Sequence, residues 1–416
     1  MSPTIPLHAA TSRLHVLQII GNAIVGGMET CVARLVERLP SDRFRVSVLC
    51  PFESPLTERL RSSGAEVTIA AIDDEPSWQS IQLGCALVQA NAIDVIQSHL
   101  PNAHVLAGLI GKLTDKPVLA TIHGRQLTSI DLEVHRAAAT HLAVVCRHSL
   151  LHALGVGVAA RHLHLIPNGV DTEVFTPSLP RSGLLRSRFG IDLAAPLIGY
   201  VGRLSVEKGP DVFLRMALAV QAAHPGSHFV LVGEGPMKRQ LQTFIEQFGL
   251  DGNVHLAGNQ TEMPHVFAEL DVLVSSSHSE AMPLAVMEAM ACGLPVVATQ
   301  VGGVADLLEH GVSGWVATDG DYEGLAAWVI NLLEDDALRL QAGRAARKRA
   351  MLHFPISRNV DATMQLLTRL AQRRSENRRI GAVGGRRSAA VDGAELDPPV
   401  KRVAQIVGAQ ADDRFA

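Results

Sequence analysis

Asp271-Val-Leu-Val-Ser275-Ser-Ser-His-Ser-Glu280-Ala-Met-Pro283-Leu-Ala-Val-Met-Glu288-Ala-Met-Ala-Cys-Gly293-Leu-Pro295-Val-Val-Ala-Thr299 reads as a strand, a loop, a helix and a second strand. The run at 271–275 is apolar and strand-length, residues 276–282 are mostly polar, and the Pro283 ring presets φ for a first helical position. The spacing predicts a helix over 283–291. Gly293 falls where a left-handed C-cap belongs, and Val296-Val-Ala298 is apolar enough for a strand buried on both faces. Two parallel strands joined through a helix are the unit of a doubly wound α/β sheet, so this stretch decides the fold class.

The same stretch carries two carboxylates. Glu280 lies in the loop, and Glu288 is five residues past Pro283, roughly 7–8 Å along the helix axis at 1.5 Å per residue. Between them the backbone around Met282, Pro283 and Leu284 opens a helix whose first amides lack intrahelical partners and carry about half a positive charge. A nucleotide sugar fits such a place. One carboxylate can take sugar hydroxyls, the amides can face phosphate or sugar oxygens, and the other carboxylate can take a ribose diol. The plain alternative is a solvated loop glutamate beside an exposed helix glutamate.

Outward from this unit the pattern repeats. Strand-length runs are predicted at residues 14–20, 45–50, 66–70, 93–98, 117–122, 141–145 and 163–166, and again at 197–201, 228–232, 254–256, 271–275, 295–298 and 314–316, with helix-length pieces between many of them. The alternation pauses over 171–195, where prolines suggest a linker. The expected organisation is an N-terminal doubly wound domain over 1–180 and a second over 181–355. A helix over 356–372 and an arginine-rich disordered tail over 373–416 follow. Two such sheets facing each other make a cleft at their carboxyl ends, where ligands bind in this class.

Composition narrows the function. With 37 Lys+Arg against 41 Asp+Glu the net charge is −4, so neither globular part has the basic character of a nucleic-acid binder. The cysteines, Cys31, Cys50, Cys85, Cys146 and Cys292, are widely spaced and show no metal-ligand spacing, which suits reduced thiols in a cytoplasmic protein. No apolar run reaches the ~20 residues of a membrane helix.

Other candidate residues sit just after strands. Gly21-Asn-Ala-Ile-Val-Gly26-Gly27-Met-Glu29-Thr30 follows the first strand, and the paired Gly26 and Gly27 let backbone approach a phosphate. Gly27-Met28 stands where a Walker loop needs Lys and Ser/Thr, which counts against a kinase or ATPase. Gly202-Arg203-Leu-Ser-Val-Glu-Lys208-Gly209-Pro210 places two cations where a departing diphosphate gains charge. Gly233 and Gly235, in Val232-Gly-Glu-Gly-Pro236, border a nucleotide or merely allow helix packing. His123 ends the strand 117–122 and faces the cleft as a neutral hydrogen-bonding group. Eleven of the eighteen histidines fall in the first 175 residues, so a structural role for His123 stays open, and His99 is a weaker candidate. Ile166-Pro-Asn168-Gly169-Val-Asp171 reads as a turn with positive φ. Neither half carries the G-x-G-x-x-G fingerprint of a dehydrogenase.

These motifs together resemble the retaining glycosyltransferase family 4, with the GT-B fold of two facing Rossmann-like domains; the resemblance spans residues 14–370. It implies Arg203 and Lys208 on the donor diphosphate, Glu280 on the sugar hydroxyls, Glu288 on the ribose, Gly26 and Gly27 against the phosphates, and His123 at the transferred sugar. It also implies a last helix crossing back to the first domain and catalysis without a metal or other cofactor. The donor is a nucleotide-diphosphate sugar. The acceptor is a glycan or lipid-linked sugar, and cytoplasmic location with peripheral contact at the inner membrane face is the accompanying expectation. An epimerase of the same fold and a non-catalytic nucleotide-sugar-binding protein are the alternatives.

Overall fold

A computed structural model describes residues 13–24 and 26–383. Seven strands form the first sheet: β1 (Leu14–Ile20), β2 (Phe44–Cys50), β3 (Glu66–Ile69), β4 (Val95–His99), β5 (Val118–Ile122), β6 (His141–Val144) and β7 (Leu163–Leu165). Six form the second: β8 (Leu197–Val201), β9 (His228–Val232), β10 (Val254–Gly258), β11 (Val272–Ser275), β12 (Val296–Thr299) and β13 (Trp315–Ala317). All pairings between these strands are parallel. The spatial orders are β3-β2-β1-β4-β5-β6-β7 and β10-β9-β8-β11-β12-β13. Each sheet reverses direction beside its first strand, the switch point where doubly wound folds bind ligands.

Every expected strand is present within one or two residues. The reason is burial on both faces: Val16, Leu17, Ile19 and Ile20 in β1, and Val272 to Val274 in β11, are essentially inaccessible, which demands the continuous apolar runs visible in the sequence. Helices cover both faces, and all five cysteines are free thiols. Among the described residues no helix is long and apolar enough to cross a membrane.

Two expected segments differ. The presumed linker holds a helix, Leu184–Phe189, ended by Gly190 in the left-handed conformation. Its Arg186 is buried and donates to the carbonyls of Asp192, Ala195 and Glu269 and to Asp271, while Glu269 accepts from the amides of Leu185 and Arg186. Six residues between helix-breaking glycines are too few to show a period, so only tertiary pairing reveals this helix. The last helix spans Ile356–Val383 and does not stop at 372. No proline and no glycine before Gly381 interrupts its sequence, and arginine is a good helix former. The remainder of the expected tail, from residue 384, lies outside the described residues.

That last helix follows the second sheet yet joins the first. Val360, Met364, Leu367 and Leu370 pack into the core around β1 and β2. The Ile356 amide donates to the Val170 carbonyl, and Asn359 Nδ2 donates to the Pro167 carbonyl. The crossing ties both halves at the back of the cleft.

Candidate active site

The helix after β11 spans Leu284–Ala291, with Pro283 as the N-cap residue where the sequence suggests a first helical position, and no side chain caps its amides. Gly293 has φ +72°, closing the helix as expected. Glu280 and Glu288 flank the helix start, and both are buried, at 8% and 7% exposure. The exposed, solvated alternative is therefore excluded. Buried carboxylates need partners, and each of these has a cation. Lys208 Nζ lies 2.7 Å from Glu280 Oε1, which also accepts from Ser277 Oγ at 2.9 Å. Arg34 Nη2 lies 2.7 Å from Glu288 Oε1. Burial pushes the Glu288 carboxyl upward in pKa, and the Arg34 charge and hydrogen bond oppose it.

Arg34 comes from the first half, on the helix Gly27–Arg38 that opens at the glycine pair. It lies seven residues past Gly27, nearly two full turns, which returns it to the face of the glycine loop. That period is the signal by which the sequence marks it. Further contacts join the halves. Asn168 Nδ2 donates to the Met282 carbonyl at 3.2 Å, and the Arg147 amide donates to Asp306 Oδ2 at 2.8 Å. Neither Asn168 nor Gly169 has positive φ, so the predicted turn chemistry is replaced by a reach across the cleft.

Gly26 and Gly27 open their helix as expected, and a Cβ on Gly27 would meet nothing within 4 Å. Glu29, one turn in, folds back over the same helix start. It is 5% exposed and accepts from Asn22 Nδ2 at 3.1 Å. Burial raises its pKa, and hydrogen bonds from its own and the Gly26 amide, together with Asn22, pull the other way. The loop therefore presents a carboxylate alongside the open glycine.

Arg203 and Lys208 follow β8. Arg203 is exposed, with no ion-pair partner among the described residues. Gly233 and Gly235 have a packing role: a Cβ on either would sit 2.0 Å from the Gly202 carbonyl oxygen or 2.3 Å from that of Leu204. The two loops thus meet backbone to backbone, which only glycine permits.

His123 immediately follows β5 and is half-buried. Its Nε2 pairs with His99 Nδ1 at 3.0 Å, His99 Nε2 with Gln18 Oε1 at 2.9 Å, and Gln18 continues through Gln97 to Thr121. Burial lowers His123 to about 4 and His99 well below its usual value, so both are neutral near pH 7. A cavity of about 30 Å³, room for one or two waters, lies between apolar side chains such as Val32, Leu35 and Val145 and the polar His99, Thr121, His123 and Asn168. The structure thus brings Glu280 with Lys208, and Glu288 with Arg34, into partly buried contacts around one helix start. His123 is tied into its own polar chain, and Gly233 and Gly235 into loop packing. Among the described residues no group of three or more His, Cys, Asp or Glu is placed to hold a metal ion.

Two doubly wound domains facing each other, with carboxylates and cations gathered at one helix start between them, define the GT-B class of nucleotide-sugar enzymes. Comparisons with known proteins agree. A family model described as glycosyl transferases group 1 matches residues 184–349, and one described as glycosyltransferase family 4 matches residues 25–174. The UDP-Gal:alpha-D-GlcNAc-diphosphoundecaprenol alpha-1,3-galactosyltransferase of Escherichia coli is 24% identical over 379 residues, covering 85% of this chain and 97% of that protein. The sulfoquinovosyl transferase SQD2 of Arabidopsis thaliana is 30% identical over 303 residues, 66% of this chain and 58% of that one. The crystal structure of Anabaena HepE in complex with UDP-glucose superposes with a TM-score of 0.76 at 23% identity, covering 86% of this chain and 100% of that chain. The chain belongs to the group 1 glycosyl transferases and is a glycosyltransferase of GT-B fold.

Proposed function

We propose that the enzyme transfers a sugar from a nucleoside-diphosphate sugar, with UDP as the first nucleotide to test, to an acceptor hydroxyl with retention of configuration. The observation that carries this reading is the pair of buried carboxylates at one uncapped helix start, each held by a cation. In it Glu280 binds sugar hydroxyls, Glu288 binds ribose, and the backbone from Met282 to Leu284 faces the donor. Gly26 and Gly27 approach the phosphates from the opposite domain, Gly233 and Gly235 border the nucleotide, and His123 meets the transferred sugar.

Two carboxylates invite comparison with glycosidases, where acid and nucleophile lie on opposite sides of the scissile bond. Here both belong to one helix start and suit different ends of a donor. Retention then follows a front-face route. The bond from the anomeric carbon to the phosphate oxygen breaks and the acceptor oxygen bonds on the same face. The acceptor proton passes to the departing phosphate oxygen. Arg203 and Lys208 stabilise the charge that gathers on that diphosphate, and this assignment makes activity in EDTA an expectation.

For the acceptor, the E. coli relative's lipid-linked diphosphate sugar makes a glycolipid or polysaccharide precursor the leading candidate. A cytoplasmic enzyme in peripheral contact with the inner membrane face goes with that acceptor, and co-sedimentation with anionic vesicles at low salt tests it. The donor reading is tested by calorimetric titration of UDP, GDP and ADP in EDTA. One nucleotide is expected to bind selectively and to lose affinity in Glu288→Ala; no binding by any of them refutes the reading.

A further inference from the structure

The ion pair between Arg34 and Glu288 is made through one nitrogen and one oxygen. Arginine and carboxylate usually meet through two of each. Here Arg34 Nη1 is buried without a partner. Among the described residues, Glu288 accepts only at Oε1, so Oε2 is also unfilled. The arrangement is held in place, because the guanidinium lies 5.4 Å from the Phe175 ring centroid. The Arg34 and Glu288 side chains are only 12% and 9% exposed. Arg34 Nη1 and Glu288 Oε2 are thus left without partners among the described residues, on side chains that are nearly dry.

Two hydroxyls on adjacent carbons are the complement of that arrangement. One donates to Glu288 Oε2 and the other accepts from Arg34 Nη1, and a ribose 2′,3′-diol has this spacing. We propose that Arg34 is the second half of the ribose site, so that residues from both domains hold the diol together. The inference rests on the reading of Glu288 as the ribose-binding carboxylate and extends it to a residue 254 positions away in sequence. Nucleotide affinity then depends on the two halves being in contact, because neither domain alone supplies both groups. The alternative is an ion pair that only fastens the domains, whose removal lowers stability and leaves nucleotide discrimination unchanged.

Calorimetry on the full chain separates the two. UDP, GDP and ADP are titrated first, and the tightest binder is compared with its 2′-deoxy and 3′-deoxy forms in the wild type, Glu288→Gln, Arg34→Gln and Arg34→Lys. The wild type is expected to prefer the ribonucleotide by about 10- to 150-fold over at least one deoxy form, the usual range for a hydrogen bond to a charged group. Arg34→Gln is expected to lose most of that preference. Arg34→Lys keeps the charge for Glu288 but lacks the second planar nitrogen, so it should stay folded, as judged by thermal melting, and still lose the preference. Full discrimination retained in Arg34→Lys, with discrimination lost in Glu288→Gln, overturns the role of Arg34 and leaves the ribose reading standing. A wild type that ignores the deoxy change, or binds none of the three nucleotides, overturns both.

Discussion

Lys208 Nζ and Glu280 Oε1 stand 2.7 Å apart, so the cation assigned to the leaving phosphate and the carboxylate assigned to the sugar are direct partners. Each orients the other in a site where Glu280 is buried, and a donor that reaches both arrives at a pre-formed pair. Lys208→Ala is expected to lower kcat/KM for the donor by about 10- to 150-fold, the worth of one charge-assisted hydrogen bond in the transition state. The double variant Lys208→Ala/Glu280→Gln should lose less than the product of the two single losses, because the groups act as a unit. Near-normal turnover of Lys208→Ala at donor concentrations below KM contradicts the assignment.

The loop that carries Glu280 rests on a second backbone. Gly302 has φ +51°, and a Cβ there would lie 1.6 Å from the Glu280 carbonyl oxygen. Gly302→Ala is therefore expected to displace residues 280–283, lower the melting temperature and weaken nucleotide binding together. Differential scanning calorimetry and nucleotide titration check this; a variant unchanged in both shows that the loop position does not matter.

Stability should depend on pH through histidines far from the cleft. His141 and His164 stack with Nδ1 and Nε2 3.1 Å apart. Burial lowers them to about 3 and about 4, with neighbouring histidines and arginines pushing the same way. The unfolded chain, with histidines near their ordinary ~6.5, takes up protons first as the pH falls. This contribution is therefore full above about pH 6.5 and is lost as the pH drops towards the folded values. The melting temperature is expected to fall between pH 7 and 5, and less so in His141→Gln/His164→Gln. Parallel decline in both proteins contradicts the account.

His123 is neutral for the same reason, lowered to about 4 by burial. The pH dependence of kcat between 5.5 and 8 should then be the same in wild type and His123→Gln, even though the variant is slower. A limb near pH 6.5 that disappears in the variant shows instead that His123 titrates during turnover.

The sheets were legible because their strands are buried on both faces, so Leu14–Ile20 and Val272–Ser275 announce themselves as apolar runs, and Gly293 marks a helix end through the φ it must adopt. Glu280 and Glu288 were legible because a proline-started helix fixes where each sits. Which cation each of them meets was not. Lys208 meets Glu280 across 72 residues, and Arg34 meets Glu288 across 254, between two domains whose relative placement no local pattern encodes. Arg186 shows the same limit from the other side: its segment reads as linker, since six residues carry no period and the arginine is paired only once the second sheet is built around it. Glu29 sits in the glycine motif, yet its fold back over the helix start depends on Asn22 and on backbone geometry.

The most direct test of the central claim is the stereochemistry of transfer. The purified enzyme is incubated in EDTA with α-configured nucleotide sugars and a short-chain lipid diphosphate sugar, and the new glycosidic bond is assigned from its proton coupling by NMR. An α-linked product, formed with release of the nucleoside diphosphate and lost in Glu280→Gln, is the predicted result. A β-linked product, or donor turnover that yields a second nucleotide sugar and no glycoside, would contradict it.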